Sequence, residues 1–209
     1  MKKILWVLLV ALCVGSVQAA PSVFTAGSRR QVMVEKYGVK KVSADEFLKA
    51  VTKGDTTLIG QVKDLAVLKA QDKFGNNCFH LAKNKVTLLA IAAVARQLDQ
   101  EDYLTTFQEL RDQRNHMGET PLMYHINIGQ TEMFEELYRG SALQNAIRTA
   151  NAVNNKGAAL INTANVRIKL ARQEGSDYSG RTVADAARAN GLQKVVQFFE
   201  NNAPYMFTK

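Results

Sequence analysis

The stretch Cys78-Phe79-His80 sets a thiol two residues from an imidazole. A thiolate beside an imidazole base is a nucleophile for acyl transfer, and the same pair with further ligands can hold a metal. Two more histidines follow, His116 and His125, and the sequence has three in all. Neither chemistry has its remaining parts. There is no Cys-x-x-Cys, no His-Glu-x-x-His and no glycine-rich phosphate loop, and the His, Cys and carboxylate residues do not recur at ligand spacing. Cys78 and His80 are both accounted for by the start of a helix. His116 falls at a turn tip, as a contact residue, and His125 on a short helix packed between neighbouring units. The expectation is a chain that binds rather than catalyses, with no cofactor and no metal.

The elements that would position these residues come in copies. DKFGNNCFHLAKN (72–84), NHMGETPLMYHINIGQ (115–130) and DYSGRTVADAARANGLQKVVQFF (177–199) each place Asp or Asn three residues before a glycine. That pair makes a tight turn, because Asp and Asn fold back on their own backbone and glycine accepts a positive φ. Asn77, Thr120 and Thr182 then suit helix N-caps. Pro121 stands at the first helical position, where its missing N–H is no loss. Gly129 and Gly191, each eleven residues after the turn glycine, are placed to end the short helix in a left-handed cap. A second apolar stripe follows: Met133, Phe134 and Leu137 in one copy, Val195, Val196 and Phe199 in another. Neither helix alone can bury its apolar face, so the copies must stack.

These residues resemble the ankyrin repeat, whose hallmark is Gly-x-Thr-Pro-Leu-His-x-Ala with a second glycine closing the first helix. The resemblance lies at Gly118–Leu122, Gly180–Gly191 and Gly75–Ala82, with Met123 where the family has His and Cys78 where it has Pro. It implies an all-α solenoid, and for His80 a structural role, tying a helix start to the neighbouring turn. Ser43–Leu68 looks like a first repeat without the motif. Gly75 and Gly118 lie 43 residues apart, and Gly118 and Gly180 lie 62 apart, against roughly 33 for an ankyrin repeat. The excess predicts added helices over Glu101–Arg111 and Ala142–Val153, and a degenerate copy over Asn155–Gln173. Four to five repeats over 43–201 result, with a tail over 202–209.

The chain opens with Lys2 and Lys3, an apolar run from Ile4 to about Gly15, and small residues before Ala19. That is the layout of a bacterial secretory leader, expected to be cleaved after Ala19, with a periplasmic destination. About a dozen apolar residues fall short of the roughly 20 that a membrane span needs. Residues 20–42 form an expected flexible extension. Removing the leader takes two lysines and no acids from a chain of net charge +8 and leaves +6. Cys78 is then the one remaining cysteine, so no internal disulfide can form.

Binding is the natural use of stacked repeats, through turn tips and first helices. The expected contact residues are Lys73, Phe74, Arg114, His116, Met117, Lys156, Tyr178 and Arg181, which include the aromatic, Met and Arg types favoured as interface anchors. The positive charge permits an acidic partner surface or an anionic polymer. Nucleic acid is not expected, since no Lys/Arg run interleaves with aromatics. Fold, size and address together resemble the small periplasmic ankyrin proteins with which predatory bacteria protect themselves from their own peptidoglycan-cutting enzymes. That resemblance implies a monomeric, stoichiometric inhibitor of a cell-wall endopeptidase or carboxypeptidase. The alternatives are an accessory scaffold for another periplasmic enzyme, such as an oxidative-stress enzyme, and direct binding of peptidoglycan.

Overall fold

A computed structural model describes residues 41–154 and 161–208. The leader, Lys156 and the extension apart from Lys41 and Val42 therefore lie outside the described residues. The described part is all-α; its only β pairings are two isolated bridges, Gln71 with Asn77 and Ser176 with Thr182.

Helices α1 (Ala44–Lys53) and α2 (Thr56–Ile59) form the first pair. Ser43 and Glu46 close a capping box at the start of α1, and Gly54 ends it with φ 77°. Asp55 then caps α2. Three further pairs repeat the plan: α4 (Cys78–Leu81) with α5 (Lys85–Leu98), α7 (Pro121–Asn127) with α8 (Phe134–Tyr138), and α11 (Val183–Ala189) with α12 (Gln193–Asn202). The expected N-caps are all in place: Asn77, Thr120 and Thr182 accept from the backbone at the second or third position of their helices. Gly129 and Gly191 take φ of 78° and 65° after α7 and α11.

The first helices pack in a row, α1 on α4, α4 on α7 and α7 on α11. Behind them α2 packs on α5, and Phe134 of α8 meets Phe198 and Phe199 of α12. Phe47, Phe79, Leu88, Ile91, Ile126, Met133, Leu137 and Phe199 are fully or almost fully buried between the rows. Each such side chain contributes about 1.5–3 kcal/mol by leaving water.

Between one pair and the next turn stands an added segment: α3 (Leu65–Leu68), α6 (Tyr103–Asp112), and a hairpin of α9 (Ala142–Asn154) and α10 (Ile161–Glu174). The helices expected at 101–111 and 142–153 are present. Of the degenerate copy expected at 155–173, residues 155–160 lie outside the described residues, and the rest shows no helix–reversal–helix plan. Residues 161–174 form one continuous helix packed on α9, and the turns on either side of the hairpin touch each other directly. Two side chains at the end of α6 clamp the start of the hairpin. Arg111 donates to the carbonyls of Arg139 and Gly140, at 2.8 and 2.5 Å. The Asp112 carboxylate receives the Ala142 amide at the positive end of α9, at 3.1 Å. Of the tail expected at 202–209, Asn202 ends α12 and residues 203–208 turn back onto the last pair. Met206 is fully buried, and its carbonyl accepts from the Thr182 hydroxyl at 2.6 Å.

Candidate partner-binding ridge

Three turns carry the candidate site, and the same bonds build each one. Oδ1 of Asp72 accepts the amides of Phe74 and Asn76 at 2.8 and 2.9 Å. Oδ1 of Asn115 accepts those of Met117 and Glu119, both at 3.0 Å. Oδ1 of Asp177 accepts those of Ser179 and Arg181 at 2.9 and 3.0 Å. The turn glycines Gly75, Gly118 and Gly180 sit at φ 78°, 79° and 82°, where a side chain is strained.

The turns join edge to edge. The His116 amide donates to the Phe74 carbonyl at 2.9 Å, and the Tyr178 amide to the Met117 carbonyl at 3.2 Å. The result is one rigid ridge that leaves Phe74, Met117 and Tyr178 exposed by 58%, 69% and 74%. Lys73 is also exposed, its ammonium 5.0 Å from the Phe74 ring centroid. Of the expected contact residues, the structure therefore brings together Lys73, Phe74, His116, Met117, Tyr178 and Arg181.

Along the base of the ridge runs a chain of polar side chains. Asn76 donates to Asp72 at 3.0 Å, and Asn115 donates to Asn76 and to Glu119, both at 2.9 Å. Asn127 donates to the other Glu119 oxygen, and Arg181 donates to Asn127 while its Nε lies 3.9 Å from Asp177. Asn76, Glu119 and Asn127 had no signal in the sequence beyond being polar; only stacking brings them into line. Asn190, at the end of α11, adds bonds to the carbonyls of Ile126 and Asn127 at 3.1 and 3.2 Å.

No protein-family model matches the chain, and no curated protein matches it.

Arg114 departs from the expectation of a contact residue. Its guanidinium donates to the carbonyls of Gly118, Ser176, Gln173 and Glu174, the last two closing the C-terminus of α10. Four converging carbonyls hold the cation as an internal clip. Lys156 lies outside the described residues.

His80, His125 and Cys78 serve packing. His80 is fully buried: its Nδ1 accepts the Asn77 amide at 3.2 Å, so Nε2–H donates to the Glu119 carbonyl at 3.0 Å. This ties a helix start to the neighbouring turn, as the family resemblance implied. His125 bonds from Nε2 to the Phe79 carbonyl at 2.9 Å, between α7 and α4. Burial pushes the His80 imidazole down to about 4 and lowers that of His125. Burial pushes the Cys78 thiol up to about 12, and its Sγ lies 3.5 Å from the Leu68 carbonyl. A thiol so protonated is a poor nucleophile. Among the described residues no cluster of three or more His, Cys, Asp or Glu is placed to hold a metal ion, and no helix is long and apolar enough to cross a membrane.

Proposed function

We propose that the chain is a protein-binding module of ankyrin type, a short solenoid of four helix pairs that docks its partner along the ridge of three turns. The observation that carries this reading is the exposure of Phe74, Met117 and Tyr178 on turns locked to one another by backbone hydrogen bonds. Large apolar side chains held rigid in water lose little freedom on binding and gain from leaving solvent, which is the profile of interface anchors. Within this function the proposed partner is a periplasmic cell-wall peptidase, which the chain inhibits by covering its cleft. The leader-like N-terminus and the family resemblance support that narrower reading.

The test is capture from a periplasmic extract, followed by hydrolase assay of the captured enzyme with and without the protein. The expected result is stoichiometric loss of peptidase activity, relieved by Phe74→Ser with Met117→Ser at an unchanged melting temperature. Full activity of every captured hydrolase at excess protein would remove the inhibitor reading. Capture that survives the double substitution would remove the ridge as the docking surface.

A further inference from the structure

We infer that the partner meets the ridge with a protein segment in which apolar side chains are interspersed with carboxylates; this rests on the docking reading above and specifies its chemistry. Two observations on the ridge decide the class of ligand. The first concerns charge. The carboxylates of the three turns are engaged inward: Asp72 accepts from two amides and Asn76, Glu119 from Asn115 and Asn127, and Asp177 from two amides and the Ser179 hydroxyl. The exposed charged side chains of the same turns are cations: Arg181 is held to Asn127 and lies 3.9 Å from Asp177, and Lys73 stands beside the apolar anchor Phe74. A partner therefore meets Phe74 with the Lys73 ammonium beside it, and a carboxylate set between apolar side chains complements both.

The second observation concerns hydrogen bonding. Asn76, Asn115, Glu119 and Asn127 bond to one another along the base of the ridge. A glycan strand, dense in hydroxyls, needs convergent polar groups ready to bond. Here those groups already have partners, and displacing them would leave buried polar atoms unpaired. The ridge offers apolar area and cationic charge in place of a hydroxyl-binding surface, which favours a polypeptide.

The experiment uses three labelled synthetic peptides in which leucine alternates with aspartate, asparagine or lysine. Fluorescence anisotropy gives affinity, and backbone amide shifts of the protein give location. The aspartate peptide is expected to bind at least about fivefold more tightly than the asparagine peptide, with an advantage that shrinks as salt is raised. Amide shifts should centre on Phe74, Met117 and Tyr178. Lys73→Glu, at an exposed position that only overlies Phe74, should abolish the aspartate preference without moving the melt.

Equal binding of the three peptides, preference for lysine, shifts away from these turns, or no binding overturns the inference. So does sedimentation with purified sacculi that the aspartate peptide fails to displace. Any of these can occur while Phe74→Ser with Met117→Ser still abolishes partner capture, and the docking function would then stand without the acidic partner.

Discussion

The backbone amide of His116 donates to the carbonyl of Phe74 across 42 residues of chain. The His116 ring also crowds Gly75: a Cβ placed on that glycine would come within 2.7 Å of Cδ2. The next junction repeats the arrangement, with a Cβ on Gly118 falling 2.4 Å from Cγ and 2.6 Å from the amide nitrogen of Tyr178. Glycine at these two turns thus serves twice, for its positive φ and for the close approach of the following turn.

Gly180 separates those two roles. Its φ is 82°, like the others, yet a Cβ there meets nothing within 4 Å. Gly180→Ala should cost only the left-handed backbone strain, about 1–2 kcal/mol. Gly118→Ala adds a backbone collision and should cost about 1–3 kcal/mol more. Urea unfolding of the two variants measures the difference, and equal losses would mean that the turns do not stack.

The caps allow a second comparison. Thr120 accepts one amide, that of Met123, at 3.4 Å, so Thr120→Ala should cost about 0.5–2 kcal/mol. Asn77 is fully buried, accepts from Phe79 and His80, and donates to the Leu110 carbonyl at 2.6 Å and to Gln113 at 2.8 Å. Asn77→Ala removes the cap and leaves a buried carbonyl without its donor, and should cost about 2–4 kcal/mol. Thermal melting ranks the two, and a larger loss for Thr120→Ala would contradict the Asn77 network.

Turns and caps were legible because they are local. Asp72, Asn115 and Asp177 with their glycines specify the turn wherever it lies in the fold, and Pro121 marks a helix start by its own ring. What sits beside what was not legible. The 62 residues from Gly118 to Gly180 fit an extra copy as well as they fit a hairpin, and the continuous helix 161–174 together with the bond from Tyr178 to Met117 decides. The ridge residues Phe74, Met117 and Tyr178 could be proposed from their place at turn tips. The bonded base of Asn76, Glu119 and Asn127 could not, because polar residues look alike until stacking aligns them.

Acid should loosen the junction between the second and third helix pairs. His80 has its pKa pushed from 6.5 to about 4 by burial, and a proton on Nδ1 would displace the bond from the Asn77 amide. The unfolded chain therefore takes up more protons than the folded one as pH falls. Stability from this group is complete above about pH 6.5 and is lost between there and pH 4, on the order of 3 kcal/mol. His125, also lowered by burial, adds in the same direction. Urea midpoints across this range should fall in the wild type and fall less in His80→Gln. Parallel curves would rule out the histidine as the cause.

Arg114 distinguishes an internal clip from a contact residue. Its guanidinium gathers four carbonyls, joining the second turn to the end of α10 and to the approach to the third turn. Arg114→Ala leaves those oxygens without their shared donor and should cost about 2–4 kcal/mol. Arg114→Lys should restore only part of this, because one ammonium cannot reproduce the planar fork. The loss should also extend to the amide of Tyr178, whose bond to Met117 depends on the same junction, and hydrogen exchange there should quicken. A partner-contact role predicts the reverse: weaker capture, an unchanged melt and unchanged exchange at Tyr178.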